Sequence, residues 1–263
     1  MFSTSVKSLA VMVFLGMSVQ SFAQEGTSTT SIWLNPKAKS YKELYSENSY
    51  YEQYNLVTDT RLRYYQPLYI ENVLSLDAFA GAGFQYQSPN AQQKYFDNSV
   101  TPYVGMRAGA FQKIFLQFQA GVRAVLNDEN SGQTNRSAEW DPRVILSAGD
   151  FWQWPVDSHI FTEGYGEVAY VPRLDSTPVS TGWLKQGYRF KPMVSVNIDP
   201  YAEFYLRESR SADLGPSMKE GRVGVRTQWL PGSWNLAALI YHPINRTEAH
   251  GDIEGLLVIG GQF

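Results

Sequence analysis

Residues Ile253-Glu254-Gly255-Leu256-Leu257-Val258-Ile259-Gly260-Gly261-Gln262-Phe263 close the chain, and their alternation decides the fold. Counting back by twos from Phe263 gives Gly261, Ile259, Leu257, Gly255 and Ile253, a mostly apolar face. About ten residues with one apolar face is the length that crosses a bilayer as one strand of a closed barrel. A membrane-spanning helix would need about 20 nearly continuous apolar residues, and no stretch of this chain offers them.

The same period of two recurs upstream. Ile114, Leu116, Phe118, Ala120, Val122, Ala124 and Leu126 oppose Gln117, Gln119, Gly121 and Arg123. Leu74, Leu76, Ala78, Ala80, Ala82 and Phe84 oppose Ser75, Asp77, Gly81, Gly83 and Gln85. Val104 to Ala110, Ala202 to Leu206 and Gly221 to Trp229 repeat the pattern, with Arg107, Glu203, Arg207, Arg222 and Arg226 on the polar side. A soluble β-sandwich alternates too. Strand length and the two chain ends favour the membrane.

At the amino end, Lys7 precedes the apolar run Leu9 to Met17, and Ser21-Phe22-Ala23 supplies a small-x-small cleavage pattern. Residues 1–23 therefore read as a cleaved secretory signal and 24–31 as a flexible tail, leaving 32–263 for the barrel. At the other end, a terminal Phe on the apolar face resembles the last strand of bacterial outer-membrane barrels, which the barrel-assembly machinery recognises. That resemblance implies an outer-membrane location, with lipid and lipopolysaccharide as surroundings. Composition agrees: 14% aromatic residues, no Cys, and a mean hydropathy of −0.31 suit a wall with one lipid face and one wet face. Loss of Lys7 with the leader leaves 21 basic against 25 acidic residues, which gives no sign of nucleic-acid binding.

Barrels of this class alternate short periplasmic turns with longer outer loops. Working back from Phe263, the outer loops fall at 242–252, 208–218, 172–178, 127–139 and 87–99. The turns fall at 230–233, 191–198, 152–157, 112–113 and 66–71. Those connections delimit eleven strands, the first near 52–65, and a periplasmic start requires another within 31–48. The expectation is an all-β fold, a transmembrane antiparallel up-and-down barrel of about twelve strands. Tyr64, Tyr65, Trp152, Trp154, Trp229 and Trp234 read as interfacial girdles.

With the apolar side outward, the lumen-lining candidates are Arg61, Arg63, Arg107, Arg123, Arg143, Arg189, Glu203, Arg207, Arg222 and Arg226. An Arg or Lys facing lipid at mid-depth costs about 2–4 kcal/mol, so these side chains must point in. Arginine outnumbers acid among the inward candidates, which assigns the surplus acids to loops. Two readings compete. Either the arginines line a wet pore and bias it toward anions, or Arg and Glu of neighbouring strands pair and fill the lumen. Catalytic constellations do not assemble: His159, His242 and His250 read as solvated loop residues, with no Ser or acidic pair suitably placed. No cofactor motif and no metal-ligand spacing occurs, so the chain reads as a non-enzyme.

Two further stretches carry a family resemblance: Thr101-Pro102-Tyr103-Val104-Gly105-Met106-Arg107 and Asp199-Pro200-Tyr201-Ala202-Glu203-Phe204-Tyr205-Leu206-Arg207. They resemble the C-terminal barrels of exopolysaccharide-export proteins and of the bacteriophage N4 adsorption receptor. Each starts a strand with Pro-Tyr and places Arg on the inner face a few residues later. The resemblance implies a barrel that handles polysaccharide, with a separate periplasmic export partner, since the helical-repeat domain of those proteins is missing. The functional expectation is a passive transport or export pore for polar solutes, anionic oligosaccharides included. A non-conducting surface receptor or structural barrel is the alternative, and a membrane-embedded hydrolase the minor one.

Overall fold

The structure is a computed structural model that describes residues 40–51, 55–70, 73–88, 98–126, 138–172, 178–208, 217–245 and 253–262. The leader, the tail, positions 32–39 of the region where a further strand is expected, His250 and the terminal Phe263 lie outside the described residues.

Twelve strands form the wall. They are β1 (Tyr41–Tyr51), β2 (Asn55–Ile70), β3 (Leu74–Gln87), β4 (Ser99–Ala110), β5 (Ile114–Val125) and β6 (Arg143–Gln153), then β7 (Ile160–Tyr170), β8 (Pro178–Tyr188), β9 (Val196–Glu208), β10 (Met218–Trp229), β11 (Trp234–Asn245) and β12 (Glu254–Gln262). Each pairs antiparallel with the next, and β1 pairs with β12 from Glu43↔Gln262 to Tyr50↔Gly255, which closes the sheet. Two short segments add to the ladder: Glu139–Trp140 pairs with β5, and Phe190–Met193 pairs with the start of β9. Among the described residues, closure leaves no strand of the wall with a free edge. That is the condition for placing a sheet in hydrocarbon, where an unpaired backbone group finds no water.

Short connections (71–73, 111–113, 154–159, 189–195 and 230–233) gather at one end of the wall, together with the start of β1 and the end of β12. The connections at the other end include the long 88–98, 126–142 and 209–217. The expected alternation of short and long connections holds except between β1 and β2, which are only three residues apart, and the extra strand expected within 31–48 is β1, which runs on to Tyr51.

Two boundaries move at a proline. The expected turn at 66–71 lies largely inside β2, and the expected loop at 242–252 gives up its first residues, through Asn245, to β11. Each of the two segments contains a proline, Pro67 and Pro243. Both sit at register shifts, between Pro67/Tyr69 and between Gly221/Arg222. A bulge leaves one residue of the ladder unpaired, so a proline without an N–H is accommodated there.

The outward face is apolar through most of the wall: Val104, Met106, Phe118, Leu146, Phe204, Val225 and Ile240 are all exposed large hydrophobic side chains. Trp152, Trp154, Trp229 and Tyr64 lie exposed near the turn end, as a girdle requires. Tyr65 does not. It is fully buried on the inner face, stacked on Tyr41 with ring centroids 4.8 Å apart, because β2 alternates and Tyr64 already takes the outward position.

The β4–β5 turn carries local strain. Phe111 and Gln112 have φ of 53° and 58°, and the Lys113 N–H donates to the Ala110 carbonyl at 3.1 Å. Left-handed backbone in L-residues costs about 1–2 kcal/mol each, a cost that glycine escapes. Gln112→Gly is expected to stabilise the barrel by about 1 kcal/mol, read as a higher urea midpoint by tryptophan fluorescence in micelles.

Candidate functional site

Alternation places one side chain in two inside the wall, and what gathers there is charge interleaved with aromatic rings. Two buried clusters stand out. The first spans β1 to β5. Arg107 donates to Asp77 at 2.9 Å and to the Tyr41 hydroxyl at 2.5 Å, with its guanidinium 4.2 Å from the Tyr65 ring centroid. Tyr65, Phe79 and Tyr103 continue the row, and the Arg63 Nε donates to the Tyr103 hydroxyl at 3.1 Å. Glycines make the space. A Cβ on Gly105 would stand 2.4 Å from the Phe79 ring, so the ring lies directly on bare backbone.

The second cluster spans β7 to β10. Asp199, fully buried, accepts from Arg189 (Nε, 3.1 Å) and from Arg226 (Nη2, 2.8 Å). Arg226 also donates to Glu163 at 2.6 Å, and Lys185 bridges Glu163 and Glu203 at 3.6 and 3.1 Å. Arg222 donates to Glu220 (2.9 Å) and Glu203 (3.2 Å) and lies 3.8 Å from the centroid of the Tyr205 ring. Register explains the pairing: Glu203↔Arg222 and Asp199↔Arg226 are directly opposite on β9 and β10. Rings on the cations add cation–π attraction to paired charge in a water-poor interior.

The ten lumen candidates therefore divide. Arg107, Arg189, Glu203, Arg222 and Arg226 are locked into the clusters, with Arg63 at the edge of the first. Arg123 pairs with Glu139 at 3.4 Å and Arg143 with Asp141 at 2.5 Å, toward the long-loop end, where Arg207 is also buried. Arg61 differs. Its side chain is 36% exposed and that of its partner Asp59 24%, although both sit mid-strand on the inner face. Its neighbours across the ladder are Gly83 and Tyr45, and a Cβ on the next inward glycine, Gly260, would meet nothing nearer than 4.0 Å. Space is left beside Arg61 where the other arginines are packed in.

Around that space stand Tyr45, Glu47, Tyr165 and Glu167, all partly exposed. The Tyr45 hydroxyl donates to Glu47 at 2.7 Å, and that of Tyr165 donates to Glu167 at 2.6 Å. Arg61 on β2 interacts electrostatically with Glu167 on β7, so the strip is shared by two walls facing each other across the lumen. Three carboxylates, Glu47, Asp59 and Glu167, face Arg61 there, and Arg63, the next inward residue on β2, also acts electrostatically on Tyr165.

This corrects the expected arginine excess. Glu43, Glu47, Asp199 and Glu220 all face inward beside the acids already expected there. The surplus acid is not confined to loops. Glu43 and Glu47 escaped the sequence reading because the outward face of β1 carries Lys42, Ser46 and Asn48 and so shows no apolar alternation. Of the histidines, His242 lies on β11 opposite Val223 with an exposed, outward side chain, not in a loop. His159 lies in the β6–β7 turn, where its backbone N–H and ring contact Asp157 at 2.8 and 2.9 Å and hold that carboxyl below its usual range. Among the described residues, no cluster of three His, Asp or Glu is arranged to hold a metal ion.

No family model matches the chain, and no curated protein matches its sequence. Solved structures do. An outer membrane channel from Pseudomonas putida F1 is 10% identical with a TM-score of 0.45, the match covering 90% of this chain and 100% of that one. A bacterial polysaccharide outer membrane secretin is also 10% identical, with a TM-score of 0.45 and coverage of 85% and 98%. LpxR from Salmonella typhimurium is 11% identical, with a TM-score of 0.41 and coverage of 83% and 99%. The likeness is one of barrel architecture. A closed wall with an apolar outer band and a charged interior makes this chain a β-barrel of the bacterial outer membrane.

Proposed function

We propose that the barrel is a narrow passive pore for small polar solutes, with its path along the Arg61 strip rather than through the centre of an arginine-lined channel. The carrying observation is the exposure of Arg61 and Asp59 at mid-height inside the wall, against 3% or less for Arg226, Glu163 and Asp199. Fixed charge in a constriction sets ion preference. The arginines of the two clusters are paired with buried carboxylates, so the field along the path comes from Glu47, Asp59 and Glu167 against Arg61 and the neighbouring Arg63. That balance favours cations and neutral polar molecules over anions. Tyr45, Tyr165 and Trp183 beside the carboxylates provide flat rings and acceptors of the kind that suit sugar hydroxyls, which keeps oligosaccharides among the candidate solutes.

The paired interior also supports a second reading, a sealed barrel serving as receptor or scaffold. Planar-bilayer recording of residues 24–263 separates the two. The pore reading expects small, stable single-channel steps with a reversal potential of cation-selective sign in a salt gradient. Folded, heat-modifiable protein that inserts without conductance would sink the pore and leave the sealed barrel.

A further inference from the structure

On most of the described wall, outward side chains between the two rims are apolar. The β1–β2 hairpin departs from this. Ser46 and Asn48 on β1 stand directly opposite Thr60 and Thr58 on β2, and all four alternate outward, away from Glu47 and Asp59. The patch lies within the apolar band: Tyr50 and Leu56 pair on one side of it along the strands, Leu44 and Leu62 on the other. The polar contact Thr162–Gln186 is different in kind, since it sits at the turn end beside Trp154.

The four side chains bond one another, but incompletely. Asn48 Nδ2 donates to Ser46 Oγ at 3.2 Å, Thr58 Oγ1 donates to Asn48 Oδ1 at 3.0 Å, and Ser46 and Thr60 share one hydrogen at 2.7 Å. An amide nitrogen carries two hydrogens and each hydroxyl one. One Asn48 N–H and one hydroxyl of the Ser46–Thr60 pair are therefore left over, with acceptor lone pairs still available on both threonines. Acyl chains offer nothing to bond. In a membrane such groups can be satisfied by hydrogen bonds to another protein surface.

We infer that this face is a self-association surface, occupied by the same face of a second copy of the chain. Two copies inserted in the same direction can be related only by an axis along the membrane normal. Each level of the patch then meets its own level in the partner. The spare Asn48 N–H meets an Asn48–Thr58 pair with free acceptor sites, and the spare hydroxyl meets another Ser46–Thr60 pair. A surface carrying leftover donors and acceptors at one height is complementary to itself under that symmetry. The flanks allow close approach: Ala80 and Ala82 lie beyond Tyr64 and Leu62 on β3, and Gly255 and Gly261 lie beside Tyr50 and Leu44 on β12. Small residues at such positions let two walls come together. The Phe84 and Tyr86 rings, stacked 6.3 Å apart beside Thr60 and Thr58, supply apolar contact at the margin.

The chain has no cysteine, so single thiols report on this directly. Asn48→Cys, oxidised in native outer membranes, is expected to give a disulfide dimer on non-reducing gels. The yield should exceed at least tenfold that of Val104→Cys, an exposed outward position on β4. Heat-modifiable mobility checks that both variants are folded. A combined Ser46→Ala, Asn48→Leu, Thr58→Val, Thr60→Val variant should convert the detergent-solubilised dimer to folded monomer by native mass spectrometry. Equal cross-linking at both positions, or a wild-type monomer, overturns the proposal. A monomer that retains glycolipid on this patch overturns it as well, in favour of a lipid site.

Discussion

Asp199→Asn is expected to destabilise the barrel more than any other single isosteric change, by about 3–5 kcal/mol. The carboxylate is fully buried and accepts from both Arg189 and Arg226. Replacing it with an amide of the same shape leaves two guanidiniums in the interior against Glu163 and the Gln228 carbonyl, an arrangement short of one negative charge. Breaking a buried pair costs far more than forming it contributes, because the remaining charge has lost its water as well as its partner. Urea unfolding in micelles measures the effect, with Lys113→Gln as reference. Lys113 also contacts a carboxylate, that of Asp150, but its side chain is 50% exposed at the turn end, so its loss should cost about 1 kcal/mol or less. Comparable losses for the two variants would mean that the second cluster is hydrated, and the division of the lumen into a packed and a wet side would fall with it.

That division was only half legible in the sequence. Strand direction and inward charge followed from alternation in β3, β4, β5, β9 and β10, because a residue of one face cannot sit on the other without shifting a whole strand. The partner of Glu203 was also within reach, since hairpin register places Arg222 opposite. Asp199 was not recognised as an inward acid, because Pro200 beside it marked a strand start rather than a strand interior. In the structure Pro200 takes an outward position on β9 opposite Val225. β1 was the weakest strand for a different reason. Its outer face carries Ser46 and Asn48, so the polarity contrast on which period-two reading depends is absent. The feature that hid the strand is the one that marks a candidate protein contact. Which arginines remain exposed depends on Gly83 lying beside Arg61 and Gly260 beyond Tyr45, a relation across strands that no local pattern encodes.

Neutralising the strip is expected to produce the largest functional change. A Glu47→Gln, Asp59→Asn, Glu167→Gln variant keeps the shape of every side chain and leaves Arg61 as the uncompensated charge at mid-height. If the path runs there, the reversal potential in a salt gradient should change sign, from cation-preferring to anion-preferring. The permeability ratio should shift about tenfold, since a potential change of roughly 2.3 kT in a narrow, low-dielectric constriction acts exponentially on partitioning. Arg61→Gln should move selectivity the opposite way, toward stronger cation preference, by removing the guanidinium paired with Asp59. Together the two variants separate a local field from a general loss of structure, because misfolding would not shift selectivity in opposite directions. Arg222→Gln is the matching control. Arg222 is buried between Tyr205 and Tyr241 and paired with Glu203 and Glu220, so its loss should lower stability while leaving selectivity within about twofold of wild type. A selectivity change at Arg222 with none at the strip would move the path to the β9–β10 wall and return the arginines to the role the sequence first suggested.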